Sequence, residues 1–167
     1  RNISGEDFFG TMLETFKEQT RELFQNLSLE EQEKALIMAS IIEKEAVVAQ
    51  ERPLISSVFH NRLRLKMKLQ ADPTVRYASK NFNDPIRRSQ LRLESPYNTY
   101  HAPGLPPGPI CNPGLSSLKA ALSPEASDYL FFVSKYDGTG EHYFSRSNRE
   151  HINFRGQNDQ KLKEQNR

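Results

Sequence analysis

The stretch ASIIEKEAVVA, residues 39–49, decides the fold because it is one of the most apolar runs of a polar chain and yet carries three charges at its centre. On a helix each residue advances by about 100°, so Glu43 and Glu45 lie about 200° apart and face nearly opposite ways. The face of Glu43 holds small and apolar residues, namely Leu36, Ala39, Ser40, Ala46 and Val47. The face of Glu45 holds Ile41, Ile42, Val48 and Ala49. A helix that is apolar on more than one side is predicted to be surrounded by other helices.

Two interpretations of these acids stay open from the residues alone. Burial raises the pKa of a carboxyl group, and a general acid that works near neutral pH needs a raised pKa. The small residues beside Glu43 would leave room for a substrate, although they would equally let another helix pack closely. In the second interpretation, Glu43 or Glu45 only forms an ion pair with a nearby cation, for which the candidates are Lys44, Arg52 and Arg62.

The segments on either side of this stretch predict further helices. Apolar spacings of three, four and seven predict an amphipathic helix over 6–27, with one stripe facing a core, formed by Phe9, Leu13, Phe16, Leu23 and Leu27. Ser28 and Glu31 have the spacing of a capping box, which predicts a second helix over about 29–50. Pro53 suits the first turn of a third helix, over about 54–65.

The rest of the chain changes character. Alternating residues in RLRLKMKLQ, 62–70, predict a short strand or extended segment. Residues 71–117 hold eight of the ten prolines and three of the eight glycines, which predicts a long ordered loop that covers or borders a groove. A short helix over 115–122, a hairpin over 129–145 that turns at 137–140, and a closing helix from 148 follow. The predicted fold class is therefore α+β.

Composition narrows the class of protein. The 167 residues suit one domain with a genuine core. With 23 basic and 21 acidic residues there is no global attraction to nucleic acid, so only a local row, Arg62, Arg64, Lys66 and Lys68, could bind it. The lone Cys111 is predicted to be a small buried residue, and the four histidines lack the spacing of a metal site. Because no apolar run approaches about 20 residues, we expect any membrane anchor to lie upstream of an excised domain.

Several long motifs in register resemble the catalytic domain of the YceG-like endolytic murein transglycosylases. They are ASIIEKEA, SVFHNRL, LQADPTVRYA, SPYNTYHAPGLPPGPICNPG and SLKAALSP, followed by the YLFFV and GEHYFS strands of the hairpin. The resemblance implies one catalytic domain: a helical lead-in over 1–34, the motif region over 35–154 and a polar tail over 155–167. It also implies that the family's membrane anchor and LysM-like subdomain are absent from this chain. Lys66 departs from the pattern, which leads us to expect a smaller residue there, often Gly.

The implied activity is cleavage of the β-1,4 bond after N-acetylmuramic acid within peptidoglycan strands, leaving 1,6-anhydro ends. By motif position the family's catalytic acid falls on Glu43, in a central catalytic helix, with Glu45 as the alternative. A lone acid suffices because the 6-hydroxyl of the sugar can serve as the nucleophile. The resemblance implies no cofactor or metal. It further implies work at the outer face of the cytoplasmic membrane, beside peptidoglycan synthases such as penicillin-binding proteins, to limit glycan length.

Polar and aromatic residues in the motifs are candidates for the rest of the site. The predicted substrate-binding residues are Gln70, Asp72, Thr74, Tyr97, Asn98, Thr99 and Tyr100, because they combine flat faces with amide, hydroxyl and carboxylate groups. Each could instead cap a turn or hold the loop in place. The candidates for partners of Glu43 are Ser40, Asn61 and His142. A non-catalytic peptidoglycan-binding module would keep the same groove without needing Glu43, and is the alternative function.

Overall fold

The computed structural model describes the backbone of residues 4–165 and the side chains of residues 4–158 and 160. Residues 166 and 167 of the predicted polar tail, and residues 1–3 of the predicted lead-in, lie outside the described residues. The elements run in the order α1 (Gly5–Phe24), α2 (Leu29–Glu45), α3 (Arg52–Arg64), α4 (Asp72–Ser79), α5 (Leu115–Leu122), β1 (Phe131–Ser134), β2 (His142–Ser145) and α6 (Asn148–Gln165). The predicted α+β class is confirmed.

Helix α2 lies at the centre of the domain. It begins at the predicted capping box, in which Ser28 Oγ accepts from the amide of Glu31 and the carboxylate of Glu31 accepts from the amide of Ser28 at 2.8 Å. Helices α3, α4 and α5 pack around it. Its buried residues are Ala35, Ile37, Met38, Ala39, Ser40, Ile41 and Ile42. The prediction of a helix that is apolar on more than one side is therefore confirmed.

The end of α2 is earlier than predicted. The helix stops at Glu45 because Ala46 turns into extended backbone, with ψ of 110°, and a short 3-10 helix at Ala49–Glu51 leads into α3. The predicted end near residue 50 is wrong, since apolar periodicity continues through the turn while the backbone does not. Glu45 is consequently the last helical residue and stands where the chain changes direction.

The predicted extended segment over 62–70 is also wrong. Helix α3 runs to Arg64 and closes with a Schellman turn, in which the amide of Met67 donates to the carbonyl of Arg62 at 2.8 Å and that of Lys66 to Leu63 at 3.0 Å. Lys66 has φ of 56°, a left-handed conformation that glycine adopts most readily. The alternating pattern belongs to a helix end, and the departure at Lys66 falls on its left-handed residue.

Helix α1 meets the core only through its second half. Leu23 and Phe24 pack against the core, whereas Phe9 and Leu13 are 65% and 59% exposed. The predicted core-facing stripe is therefore wrong for the first half of the helix, where none of the described elements covers it. Within residues 4–165, no helix combines the length and the hydropathy that crossing a bilayer requires.

The hairpin forms the sheet. Its two strands pair antiparallel from Phe131 opposite Ser145 to Ser134 opposite His142. One face packs on α6 through the stacked rings of Tyr143 and Phe154, and Phe132 meets Phe59 of α3 edge to face at 5.8 Å between ring centroids. These contacts bring the strands alongside the end of α3 and the cavity described below.

Gly140 fixes the hairpin loop against the end of α2. Its φ is 76°, and a Cβ at this position would lie 2.7 Å from Val47 Cγ1. We predict that Gly140→Ala lowers the free energy of unfolding by about 1–2 kcal/mol, from left-handed strain and the clash. The matched control is Gly156→Ala in α6, where nothing lies within 4 Å, and which should raise stability by up to about 1 kcal/mol because alanine favours helix. Urea unfolding measures both, and equal effects would contradict the close approach of the loop.

Candidate active site

The end of α2, the end of α3, the segment before α4 and the hairpin enclose an open cavity of about 340 Å³. Its polar lining includes Glu45, Gln70, Asp72, Tyr100 and His142. Its other lining residues are Phe59, Arg62, Leu69, Phe131, Phe132, Val133, Ser134, Tyr136, Asn148 and His151. Glu43 does not line it. Glu43 and Glu45 therefore lie in different surroundings, as expected from their positions on opposite faces of the helix.

Glu45 lies in surroundings that favour the protonated acid. Part of the side chain reaches the cavity, but burial of the carboxyl group, together with a smaller contribution from the negative charge of Asp72, raises its pKa from 4.5 to about 8. The backbone amide of Asp72, at the start of α4, and the Arg62 guanidinium oppose the shift without cancelling it. At neutral pH Glu45 is therefore a proton donor that faces a cavity.

Glu43 lies in surroundings that favour the carboxylate. Ser117 Oγ donates to its Oε2 at 2.5 Å and the amide of Gly114 donates to the same oxygen at 3.2 Å. Gly114 is the residue that precedes α5, so the negative charge stands at the positive end of that helix. The Ser117 hydroxyl, then the Gly114 amide, Arg52 and Lys44, hold the pKa of Glu43 below its ordinary value against the effect of burial. Glu43 acts as a helix cap from another element.

Asp72 and Tyr100 form a polar pair on the cavity wall. The Tyr100 hydroxyl donates to Asp72 Oδ1 at 2.7 Å, and burial together with this bond raises the pKa of the tyrosine above its ordinary value. Gln70 lies beside them with φ of 51°, held by the bond from its amide to the carbonyl of Thr99 at 3.2 Å. The structure thus brings three of the seven predicted substrate-binding residues to the cavity.

Of the other four, Thr74 lies in α4, and Tyr97, Asn98 and Thr99 lie in the long loop between α4 and α5. Thr74, Asn98 and Thr99 are 0–1% exposed, and their polar atoms are occupied internally. Thr74 Oγ1 and Thr99 Oγ1 lie 2.8 Å apart, and Asn98 Nδ2 donates to the carbonyls of Leu91 and Leu93. Tyr97 packs against Tyr77 with the rings tilted by 47° and their centroids 4.8 Å apart, and it does not line the cavity. These residues order the loop, which was the alternative interpretation from sequence.

Ser40 and Asn61, two of the predicted partners of Glu43, form hydrogen bonds with other residues. Ser40 Oγ donates to the carbonyl of Ile37 and accepts from the amide of Ile110 at 3.0 Å, which fastens the Pro/Gly loop to α2. Asn61 Nδ2 donates to the carbonyls of Ser127 and Tyr129 at the approach to β1. Neither contacts Glu43. Cys111 is half-buried, with its thiol donating to the carbonyl of Ser40 at 3.3 Å.

His142 lines the cavity, but its partner is Glu51 and not the predicted Glu43. Its Nδ1 lies 2.7 Å from Glu51 Oε2, and its backbone amide donates to Glu51 Oε1 at 2.9 Å. Phe132 packs on the ring edge to face at 5.3 Å between centroids. The ring is therefore fixed on both sides and forms a rigid wall opposite α3.

Sequence reasoning missed several cavity residues. Arg62 is 7% exposed, donating from Nε to the carbonyl of Leu130 at 2.6 Å and from Nη1 to Leu69 at 2.8 Å, so it leaves the predicted basic row. Tyr136 and His151 reach the site from the hairpin loop and α6. The β-hairpin signal predicted the strands, but no local signal showed which side of the hairpin would face Glu45.

These features define an α+β domain with a candidate acid–base site: a neutral carboxylic acid, a carboxylate bound by a tyrosine, and aromatic walls around one open cavity. Among the described side chains, no group of three or more His, Cys, Asp or Glu residues is placed to hold a metal ion.

Comparison with known proteins gives the family. The model of the YceG-like family matches residues 1–156, and the chain belongs to that family. It is 50% identical over 118 residues to the endolytic murein transglycosylase of Bacillus subtilis, and 33% identical over 121 residues to that of Streptococcus pneumoniae. These matches cover 71% and 70% of this chain, but only 32% and 22% of the two relatives. The chain thus spans a third or less of their length.

A solved structure shares the fold. The crystal structure of a YceG-like protein from Listeria monocytogenes matches with a TM-score of 0.81 at 42% identity. The match covers 92% of this chain and 50% of the other.

The cap that Glu43 places on α5 makes a stability prediction. Glu43→Ala removes the acceptor of two hydrogen bonds and a charge at a helix N-terminus, so unfolding in urea should show a loss of about 1–2 kcal/mol. Glu43→Gln keeps an acceptor oxygen and should lose less. The exposed neighbour supplies the control, since Lys44→Ala should stay within about 0.5 kcal/mol of the parent. A Glu43→Ala protein as stable as the control would show that α5 needs no cap.

The raised pKa of Glu45 makes a second prediction. Between the ordinary value of 4.5 and about 8 the folded state holds a proton that the unfolded state lacks. The contribution of this group is therefore complete at low pH and is lost as pH rises, at up to about 1.4 kcal/mol per pH unit. Glu45→Gln removes the titration. The stability of the parent minus that of Glu45→Gln should fall steadily from pH 5 to pH 8, and a constant difference would mean that Glu45 titrates near its ordinary value.

Proposed function

We propose that this domain is the catalytic unit of an endolytic peptidoglycan lytic transglycosylase. It would cleave the β-1,4 bond between N-acetylmuramic acid and N-acetylglucosamine and leave 1,6-anhydro ends. The observation that carries the proposal is a carboxylic acid, Glu45, whose pKa of about 8 keeps it protonated beside an open cavity. The curated relatives named endolytic murein transglycosylase supply the reaction class.

We assign the general acid to Glu45 and not to Glu43, which motif position favoured. Protonating a glycosidic oxygen requires a proton at neutral pH and access to the substrate. Glu45 has both. Glu43 has a lowered pKa and spends its carboxylate on Gly114 and Ser117. In this assignment Glu43 is a structural residue that holds α5 against α2.

The reaction needs only one residue to move protons. Glu45 first gives its proton to the leaving glycosidic oxygen, and the bond from C1 breaks with an oxocarbenium-like transition state. The carboxylate that remains then takes the proton of the 6-hydroxyl as that oxygen bonds to C1, which restores the acid and closes the anhydro ring. Because the 6-hydroxyl belongs to the same sugar, its effective concentration is high. No water is consumed.

Asp72 has a supporting role in this scheme. Its charge raises the pKa of Glu45, and the bond from Tyr100 holds its carboxylate in place. Two neighbouring carboxyl groups in different environments commonly divide the roles of proton donor and charge stabiliser. Asp72 is therefore assigned the stabilisation of positive charge at C1, with Gln70 and Tyr100 available for sugar hydroxyl or acetamido groups.

The cellular role is proposed from the resemblance of the sequence motifs to the family. An endolytic enzyme that cuts nascent strands would limit glycan length beside peptidoglycan synthases, at the outer face of the cytoplasmic membrane. The partner of the domain itself is the glycan strand. A non-catalytic peptidoglycan-binding module is the alternative, and the assay below separates the two.

The acid assignment predicts the outcome of a paired substitution. With uncrosslinked glycan strands, Glu45→Gln should lower the rate of anhydro-end formation by about 10²-fold or more, the usual contribution of a general acid. Glu43→Gln should keep the rate within about tenfold, with the difference explained by stability. Mass spectrometry of the released fragments measures both.

Each other outcome has a meaning. Loss in Glu43→Gln with retention in Glu45→Gln would reverse the assignment. A parent protein that binds strands but releases no anhydro ends would favour the binding module.

A further inference from the structure

The cavity at Glu45 continues into a second one of about 440 Å³. The two share five lining residues, Asp72, Tyr100, Val133, Tyr136 and His151, and the second extends to Ile86, Leu91 and Arg155. Together they form a cleft lined by residues from Glu45 to Arg155, with the hairpin and α6 on its walls. A cleft of this kind accommodates more than one ring of a linear polymer.

Tyr136 stands at the rim where the two cavities meet. Its side chain is 56% exposed, although it belongs to the walls of both. Its φ is 51°, in the left-handed region that costs a non-glycine residue about 1 kcal/mol or more. The same loop uses glycine at its two other left-handed positions, Gly138 and Gly140. Position 136 therefore keeps an aromatic residue where glycine would be the unstrained choice.

Contacts within the loop hold the backbone on both sides of Tyr136. Lys135 and Glu141 form an ion pair at 2.5 Å across the base of the loop, and the amide of Lys135 donates to the carbonyl of Glu141 at 2.8 Å. Asp137 accepts from the amide and the hydroxyl of Thr139. Gly140 packs against Val47, two residues beyond Glu45. The position of Tyr136 is thus tied to the end of the helix that carries the acid.

We propose that Tyr136 is a sugar-binding platform, on which a pyranose ring of the glycan strand stacks at the subsite next to the scissile bond. The inference rests on the proposed function for its substrate. A pyranose presents an apolar face of C–H groups flanked by hydroxyls, and a flat ring with a polar edge matches both. A platform between two cavities holds a strand that extends on both sides of the acid, as cutting within a strand requires.

The test is direct binding of uncrosslinked glycan strands in the Glu45→Gln background, which prevents cleavage. Tyr136→Asn keeps the left-handed backbone at little cost, because asparagine tolerates it, but removes the ring. We expect its affinity to fall about tenfold, equivalent to about 1.4 kcal/mol, with a melting temperature equal to or above that of the background protein. Tyr136→Phe keeps the ring and should bind within about twofold, a difference of about 0.4 kcal/mol.

The control is Phe82→Asn, a loop aromatic that is 63% exposed and lines neither cavity, which should not change the affinity. Calorimetry measures each value. Unchanged affinity in Tyr136→Asn would overturn the platform and leave the proposed function standing. Absence of strand binding in the Glu45→Gln background itself would overturn both.

Discussion

Burial of α2 among three other helices is the constraint on which the rest of this structure depends. The buried and half-buried polar side chains in the second half of this helix need partners or access to water, and three of them meet different parts of the fold. Ser40 fastens the Pro/Gly loop through the amide of Ile110. Glu43 caps α5, and Glu45 faces the cavity beside α4. The two acids in the apolar run therefore mark the position at which α5 contacts the helix and the position at which the cavity begins.

The two acids show how the same residue type acquires opposite chemistry two positions apart. Both are partly withdrawn from water, which alone would raise both pKa values. For Glu43, hydrogen bonds from Ser117 and Gly114 stabilise the ionised form and outweigh burial. For Glu45, the nearby charge of Asp72 adds to burial, and the Asp72 amide and Arg62 are too weak to compensate. The pKa of each carboxyl group is therefore set by the depth of its burial and by the partners that it meets.

The opposite pKa shifts of Glu43 and Glu45 could not be predicted from the sequence. Helical spacing correctly placed Glu43 and Glu45 on opposite faces, and the capping box and hairpin signals correctly placed the start of α2 and the strands. Which face of α2 lines a solvent-filled cavity depends on residues that are distant in sequence. Gly114 and Ser117 lie about 70 residues after Glu43, and a turn brings Asp72 beside the end of α2. Thr74, Asn98 and Thr99 illustrate the same limit. A polar motif in this part of the chain has the same composition whether its side chains bind a ligand or hold the chain in place.

Two residues with a strained backbone conformation line the cleft. Among the residues that the structure describes, four non-glycine residues have positive φ, and two of them, Lys66 and Lys80, end helices in turns where left-handed residues are common. The other two, Gln70 and Tyr136, both line the cavity of Glu45. Gln70 precedes α4 and Tyr136 lies in the hairpin loop, so neither belongs to the C-terminal turn of a helix. Strain that persists at such positions must be stabilised by the surrounding structure, here the bond from the Gln70 amide to Thr99 and the ion pair that closes the hairpin loop. The buried loop residues that do not reach the cleft thus contribute to it, because Thr99 holds the strained residue that does.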